Sequence, residues 1–297
     1  MTGAERGFLL LTSHLGDSER HPLTSAQFRT LAQRSRAMGK PVADTELELA
    51  DLVNLGYGRE MAERILLLLE EQDVLEHYLR RGARSGCQPL TWVSEGYPSV
   101  VRQRLGDEAT GCLWIKGDIA LLDMPMVALV GSRDILPENR AFARAVGHQA
   151  AQQGFTLVSG NARGADRTAQ QSCLAAGGKV ICVVADKLEQ CEPCENILYI
   201  SEDVFDGAFS AQRALSRNRI IHCLGSRVFV AQCTHGHGGT WDGTTKNLRQ
   251  EWSSVYCFRD GTNAMNALEQ MGAEQIELGD LHNIRALSPR YFGLFDQ

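Results

Sequence analysis

Three segments of this chain set glycine beside small hydroxyl and basic residues, the first two directly after an apolar run and the third shortly after one. They are Val127-Ala-Leu-Val-Gly-Ser-Arg133, Ser159-Gly-Asn-Ala-Arg-Gly-Ala-Asp166, and His235-Gly-His-Gly-Gly-Thr240 following Val228 to Ala231. A strand that delivers such a turn to a helix aims backbone N–H groups and the positive helix end at an anion, so the chemistry indicated is phosphate binding. In the first turn Gly131 lets backbone approach a ligand, Ser132 is a donor to an oxygen, and Arg133 offers a planar fork matched to phosphate. The second turn repeats the arrangement with Ser159, Gly160, Arg163 and Gly164, and places Asp166 where a carboxylate suits the start of a helix. The third supplies Gly238, Gly239 and Thr240 as donors, Trp241 as an aromatic able to stack on a base, and Lys246 near the next helix start.

Other chemistries lack their residues. Asp134, Ile135 and Leu136 follow the first turn, so the G-x-G-x-x-G dinucleotide fingerprint is absent and no cofactor is expected. The sequence has no G-x-S-x-G, no H-E-x-x-H and no Walker A lysine, which points to a binding protein rather than an enzyme. Cys191-Glu-Pro-Cys194 is a single C-x-x-C with no second pair at ligand spacing, and Cys233-Thr-His-Gly-His237 is only a possible partner. Free thiols are favoured there over zinc, and no metal site is expected. The nine cysteines are scattered rather than densely spaced, as in a chain kept reduced.

The elements that must position these turns alternate along the chain. Short apolar runs at Val127–Val130, Thr156–Val158, Val180–Val184, Val228–Ala231 and Val255–Phe258 are separated by Pro137–Gln153, Asp166–Ala176, Ala211–Cys223 and Thr244–Trp252, each long enough for a helix. Runs without internal alternation belong to strands buried on both faces, so the expected fold class is α/β: a Rossmann-like, mostly parallel sheet flanked by helices. Upstream, apolar residues recur at helical spacing, and Leu52 to Ile65 carries Gly56 and Gly58 in a short turn. A small all-α domain of helix-hairpin-helix or SAM-like type is expected there, although any tight helix pair needs a similar turn. The expected division is a helical domain over 1–84, a linker with lead-in strands over 85–125, the α/β domain over 126–285 and a tail over 286–297.

Charge is unevenly placed. The chain carries a formal net charge of -6, so a nucleic-acid site has to be a local basic patch. Between Phe209 and Asp260 seven basic residues stand against three acidic ones, whereas Asp186 to Asp206 has seven acidic residues and Lys187 alone. The first stretch suits a phosphate-rich ligand; the second should face away from the site or screen one of its edges. No apolar run reaches the roughly 18 residues that span a bilayer, so no membrane association and a cytoplasmic location are expected.

Taken in order, these motifs resemble those of the DNA-processing protein A family, also called Smf. The first turn is similar to its GSR motif and Ser159 to Asp166 to its SGxARGxD motif. Ser201-Glu202 resembles a short SE element, and Phe209 to Ile221, with Arg217-Asn218-Arg219, resembles an F...RNRII helix. Thr91 to Gly117 follows the family's lead-in with a Tyr97-Pro98 turn, and the likeness covers roughly residues 90 to 285. The resemblance implies a homodimeric protein that binds single-stranded DNA and helps load a RecA-type recombinase. It also implies that Arg133, Arg163, Lys179 and Gly238 to Thr240 line a basic pocket, with Ser132, Ser159 and Gly160 holding phosphates. Arg217 falls in the RNR element; Asn218 and Arg219 either join that pocket or brace it. Ala165, Ala169-Gln170 and the Gly238 to Gly243 turn depart from the family pattern, and a closing winged-helix domain is not expected, as in a divergent branch. The alternative is a small-nucleotide sensor or processing enzyme of the related LOG type. Its glutamate, by an alignment through Gly243-Thr244, would be replaced by Asn247. A protein-docking role for the helical domain is a third reading.

Overall fold

The computed structural model describes residues 1–37, 39 and 47–287; the expected tail lies outside the described residues from 288 onward. The chain divides into two compact units. One comprises Met1–Tyr97, Thr110–Trp114 and Glu202–Asp206; the other comprises Pro98–Ala109, Ile115–Ser201 and the described chain from Gly207.

The first unit begins with helices α1 (Gly3–Thr12), α2 (Ser25–Ala37), α3 (Leu49–Asn54), α4 (Arg59–Glu70) and α5 (Gln72–Arg84), followed by strand β1 (Gln88–Thr91). Helix α1 starts on a capping box in which Thr2 and Glu5 satisfy each other's backbone N–H groups. Leu11, Leu31, Leu52, Ile65 and Leu68 form a common apolar core, as their helical spacing predicts. Gly56, at φ +84°, makes the turn between α3 and α4. Arg34 ties that turn by donating to the Leu55 carbonyl at 3.1 Å, with its guanidinium 4.9 Å from the Tyr57 ring centre.

The second unit carries the sheet that organises the turns. After α6 (Ser99–Leu105) and β2 (Cys112–Gly117), whose first half belongs to the other unit, come β3 (Met126–Val130), α7 (Pro137–Gln152), β4 (Thr156–Ser159), α8 (Ala165–Ala175), β5 (Lys179–Val184) and β6 (Ile197–Glu202). Then follow α9 (Ala211–Leu224), β7 (Arg227–Val230), α10 (Gly239–Gln250), β8 (Ser254–Phe258), α11 (Asn263–Gln270) and β9 (Glu274–Ile276). Strands β6-β5-β4-β3-β7-β8-β9 lie side by side in that order and pair in parallel. Every residue of β3, β4 and β7 is buried, which is what strands covered on both faces require. The fold is therefore α/β, a mostly parallel sheet with helices, preceded by a helical region. Helices α7 and α8 touch at backbone level: a methyl on Gly147 would sit 2.1 Å from the Ala169 carbonyl oxygen.

Strand order reverses at β3. Successive strands β4, β5 and β6 extend to one side and β7, β8 and β9 to the other, so the chain ends of β3 and β7 border a topological switch point. All five apolar runs expected as strands form strands. Strands β6 and β9 and helices α6 and α11 lie in sequence too short or too polar to stand out. Helix α10 starts at Gly239, five residues before the expected Thr244, because Gly238 at φ +91° caps it directly.

Candidate functional site

The first two turns build one wall together. After β3, Gly131 passes so close to α8 that a methyl there would meet the Ala165 Cβ at 2.4 Å. Gly164, at φ +89°, lies under the first turn, where a Cβ would fall 2.4 Å from the Ser132 carbonyl oxygen. The Ala165 N–H donates to that same carbonyl at 3.1 Å. Ser132 is itself engaged, its backbone N–H and its hydroxyl both donating to the Gln232 carbonyl, at 2.9 and 3.2 Å. Its role is to join the β3 and β7 turns.

The second turn holds an anion of its own. The carboxylate of buried Asp166 accepts from the backbone N–H of Ala162 at 3.2 Å and from that of Gly160, beside the Arg217 guanidinium. Burial is the largest influence on this group and pushes its pKa up to about 6, against the opposing pull of Arg217, those backbone donors and Arg133. Arg217 is buried and donates to the Val183 carbonyl at 2.9 Å; a methyl on Gly160 would overlap its guanidinium. Gly160 and Arg217 therefore form a fixed floor. Ser159 is fully buried, and its hydroxyl has no hydrogen-bond partner among the described residues.

Above this floor opens a crevice of about 540 Å³, lined by the turns after β3, β4 and β5 and by the approach to α9. Besides buried Arg217, its cations are the exposed Arg133, Arg163 and Arg167 and the half-buried Lys187. Arg163 pairs with Asp134 at 2.8 Å, but both side chains are largely in solvent, where such a pair contributes little. Arg133 makes no ion pair among the described residues; its guanidinium lies 5.7 Å from the ring centre of Phe209. Asp186 and Glu192 stand on the β5 side of the crevice, so part of the acidic stretch screens one edge.

Other residues singled out by sequence go elsewhere. Lys179 opens β5 at the opposite end of the strand from the crevice, about 16 Å away at the rise of a β-strand. Lys246 sits 2.5 Å from Glu108 and over the Trp252 ring, and Arg219 donates to the Glu108 and Ser216 carbonyls. Asn218 donates to the Gly239 carbonyl at 2.9 Å, so the side chains of Asn218 and Arg219 are both tied to neighbouring backbone. Gly238, Gly239, Thr240 and Trp241 lie at the same sheet edge beyond α9, outside the crevice lining, with the Trp241 ring against His235 at 4.7 Å. Of the basic residues between Phe209 and Asp260, Arg217 alone lines the crevice; Arg213 donates to the carbonyl of Ala185, a lining residue, and Arg227 to the Leu287 carbonyl away from it. Arg167 and Lys187 were not singled out from sequence. The signal for Arg167 was its place in the first turn of the helix that the second glycine turn opens.

Asn247 does not face the crevice. It is fully buried, bonded to the His222 Nδ1 at 3.0 Å and to Ser253, as a core residue. All nine cysteines are free, and among the described residues no cluster of three or more His, Cys, Asp or Glu is placed to hold a metal.

Known proteins are similar to this chain in sequence and in fold. Protein Smf of Synechocystis is 29% identical over 207 residues, covering 65% of this chain and 50% of that protein. DNA processing protein DprA of Streptococcus pneumoniae is 33% identical over 187 residues, covering 58% of this chain and 65% of its own. The matched region thus spans less than two thirds of either relative. The crystal structure of the Streptococcus pneumoniae protein superposes with a TM-score of 0.71 at 23% identity, over 95% of this chain and 96% of that one. The structure of DNA processing protein A from Helicobacter pylori gives 0.56 at 22% identity, over 66% of this chain and 94% of that one. Residues 88–276, which hold every turn of the site, match the family described as DNA recombination-mediator protein A, and the chain belongs to that family.

Proposed function

We propose that this protein binds single-stranded DNA along the carboxyl edge of its sheet and acts by binding, not catalysis, as a recombination mediator in the cytoplasm. The observation that carries the reading is the convergence of Arg133, Arg163 and Lys187, from three different loops, and of Arg167, from the first turn of α8, on one crevice beside the switch point of a net acidic chain. The Helicobacter pylori relative binds single-stranded DNA. Because Asp166 already occupies the backbone donors of the second turn, the arginines and Lys187 supply the attraction to phosphate, and the glycines supply close packing. From β5 to β7 the edge spans three strand spacings, about 14 Å, which gives a polymer a path past the crevice to the third turn.

Delivery of the strand to a RecA-type recombinase, and action as a homodimer, complete the proposal. A second reading, a small-nucleotide sensor or processing enzyme, is favoured by one observation: the crevice volume lies in the range of small-ligand pockets. Fluorescence anisotropy with a labelled 20-mer, single-stranded and duplex, tests the first reading. Preferential, salt-sensitive binding of the single strand is expected. Absence of binding, together with thermal stabilisation by mononucleotides alone, would replace it with the second.

A further inference from the structure

Helices α7 and α8 carry arginines that the crevice does not account for. From Asn139 to Gly178 the chain holds Arg140, Arg144, Arg163 and Arg167 against one carboxylate, Asp166, which is buried, although the chain as a whole is net acidic. Helix α7 shows solvent Arg140, Arg144 and His148, each four residues from the last and so aligned along one side. Helix α8 shows Arg167 and Gln171 at the same spacing, and exposed Arg163 stands in the turn just before it. The two helices cross between adjacent parallel strands and pack side by side: Gly147 meets the Ala169 backbone, and the Ser172 hydroxyl donates to the Arg144 carbonyl at 2.8 Å. Their outer sides therefore make one surface, with helix axes about 8 Å apart.

Little within the fold answers this charge. Among the described residues Arg140, Arg144 and Arg167 make no ion pair, and the Arg140 guanidinium reaches only the Ile135 carbonyl, at 3.5 Å. Asp134 pairs with Arg163 in solvent, Asp260 is held by Asn139, and Glu138 stands in the first turn of α7. Arg140 and Arg144 are like charges one helical turn apart, a pairing that weakens a helix unless an anion lies over it. Both stand outside the crevice lining, whereas Arg163 and Arg167 belong to it, so basic surface runs unbroken from the sheet edge onto the helix pair. Arginine's planar fork matches phosphate. We infer that α7 and α8 form a second phosphate-binding surface, over which a single strand leaving the crevice continues, its backbone held by Arg140 and Arg144. The inference rests on the single-stranded DNA reading and adds a direction for the strand and a longer footprint. The crevice cations set the salt dependence of a strand just long enough to fill them; the helix pair steepens the slope by about 1.4 for a longer one, at roughly 0.7 per phosphate.

The test compares strand lengths. Wild type, Arg140→Ala/Arg144→Ala and a control with the same loss of charge, Arg249→Ala/Arg259→Ala, are each titrated with a labelled single-stranded 6-mer and 20-mer across a salt series. Alanine suits exposed helix positions, so α7 stays folded. Arg249 and Arg259 are exposed but stand on α10 and just after β8, outside both the crevice lining and the helix pair. Between 50 and 200 mM salt the wild-type affinity for the 20-mer should fall about sevenfold more than that of Arg140→Ala/Arg144→Ala. The same variant should bind the 6-mer as wild type does, and the control should keep the wild-type slope with both strands. A 6-mer weakened as much as the 20-mer, a control that flattens the slope equally, or a 20-mer slope untouched by Arg140→Ala/Arg144→Ala overturns the second surface while the DNA reading stands. A wild-type protein that binds neither length overturns both.

Discussion

Replacing Arg133 by alanine separates charge from structure at this site. The side chain is exposed and makes no ion pair among the described residues, so the substitution leaves the fold intact. Four cations that solvent reaches line the crevice: the exposed Arg133, Arg163 and Arg167 and the half-buried Lys187. If each neutralises one phosphate of a single strand, the slope of log affinity against log salt is about -2.8, at roughly -0.7 per phosphate. Affinity then falls about 50-fold between 50 and 200 mM salt. Arg133→Ala should bring the slope to about -2.1 and the fall to about 20-fold, with the loss in affinity largest at low salt. Lys246→Ala is the internal control, because that ammonium is already held by Glu108 at 2.5 Å and should leave the slope unchanged. Anisotropy titrations at five salt concentrations measure all three. An Arg133→Ala slope equal to wild type, or a Lys246→Ala slope that drops by the same amount, would refute the assignment of charge to this crevice.

Further outcomes follow from the packing and from the buried titratable groups. Gly160→Ala should displace the Arg217 guanidinium from the Val183 carbonyl, costing about 2 kcal/mol in denaturant unfolding as a buried charged hydrogen bond is lost; a cost under about 0.5 kcal/mol would show that Arg217 relocates freely. Gly147→Ala should cost at least as much, since its methyl meets the α8 backbone rather than a movable side chain. His222 is fully buried and accepts at Nδ1 from Asn247, and burial lowers its pKa from 6.5 to about 3. A base depressed in the fold stabilises it above pH 6.5, and that stability, on the order of 4 kcal/mol, drains away as pH falls toward 3. His222→Gln, which keeps an acceptor for Asn247, should remove this limb from the stability profile; an unchanged profile would place the titration elsewhere. Asp166 runs in the opposite sense: its acid form is favoured by folding, so its contribution is present below pH 3.8 and is lost as pH rises through about 6. Asp166→Asn should therefore flatten the profile between pH 4 and 6, and an unaltered slope there would argue against a buried carboxyl.

The elements that carry the site were legible from sequence for a simple reason. Strands β3, β5 and β7 are buried on both faces, and burial on both faces demands an unbroken apolar run whatever the neighbours are. Gly131 and Gly164 were legible as close approaches because no other residue type permits them, although the group approaching them is α8 and the first turn rather than a ligand. What a run of residues does not encode is the end of the sheet at which a side chain emerges and which groups from distant loops reach it first. Lys179 and Val184 share one strand yet stand at opposite ends, and the crevice lies only at the second. Lys246 and Arg219 are cations in a basic stretch, but Glu108, more than a hundred residues earlier, takes both. Asp166 could be placed at a helix start from its position alone; that it fills the turn expected to hold phosphate was decided by burial next to Arg217. The sequence by itself determined the parallel α/β frame, its glycine turns and their resemblance to one family, because these depend on local periodicity and steric demand. Tertiary structure decided which charges remain available to a ligand, because a charge is available only where folding has brought it no closer partner.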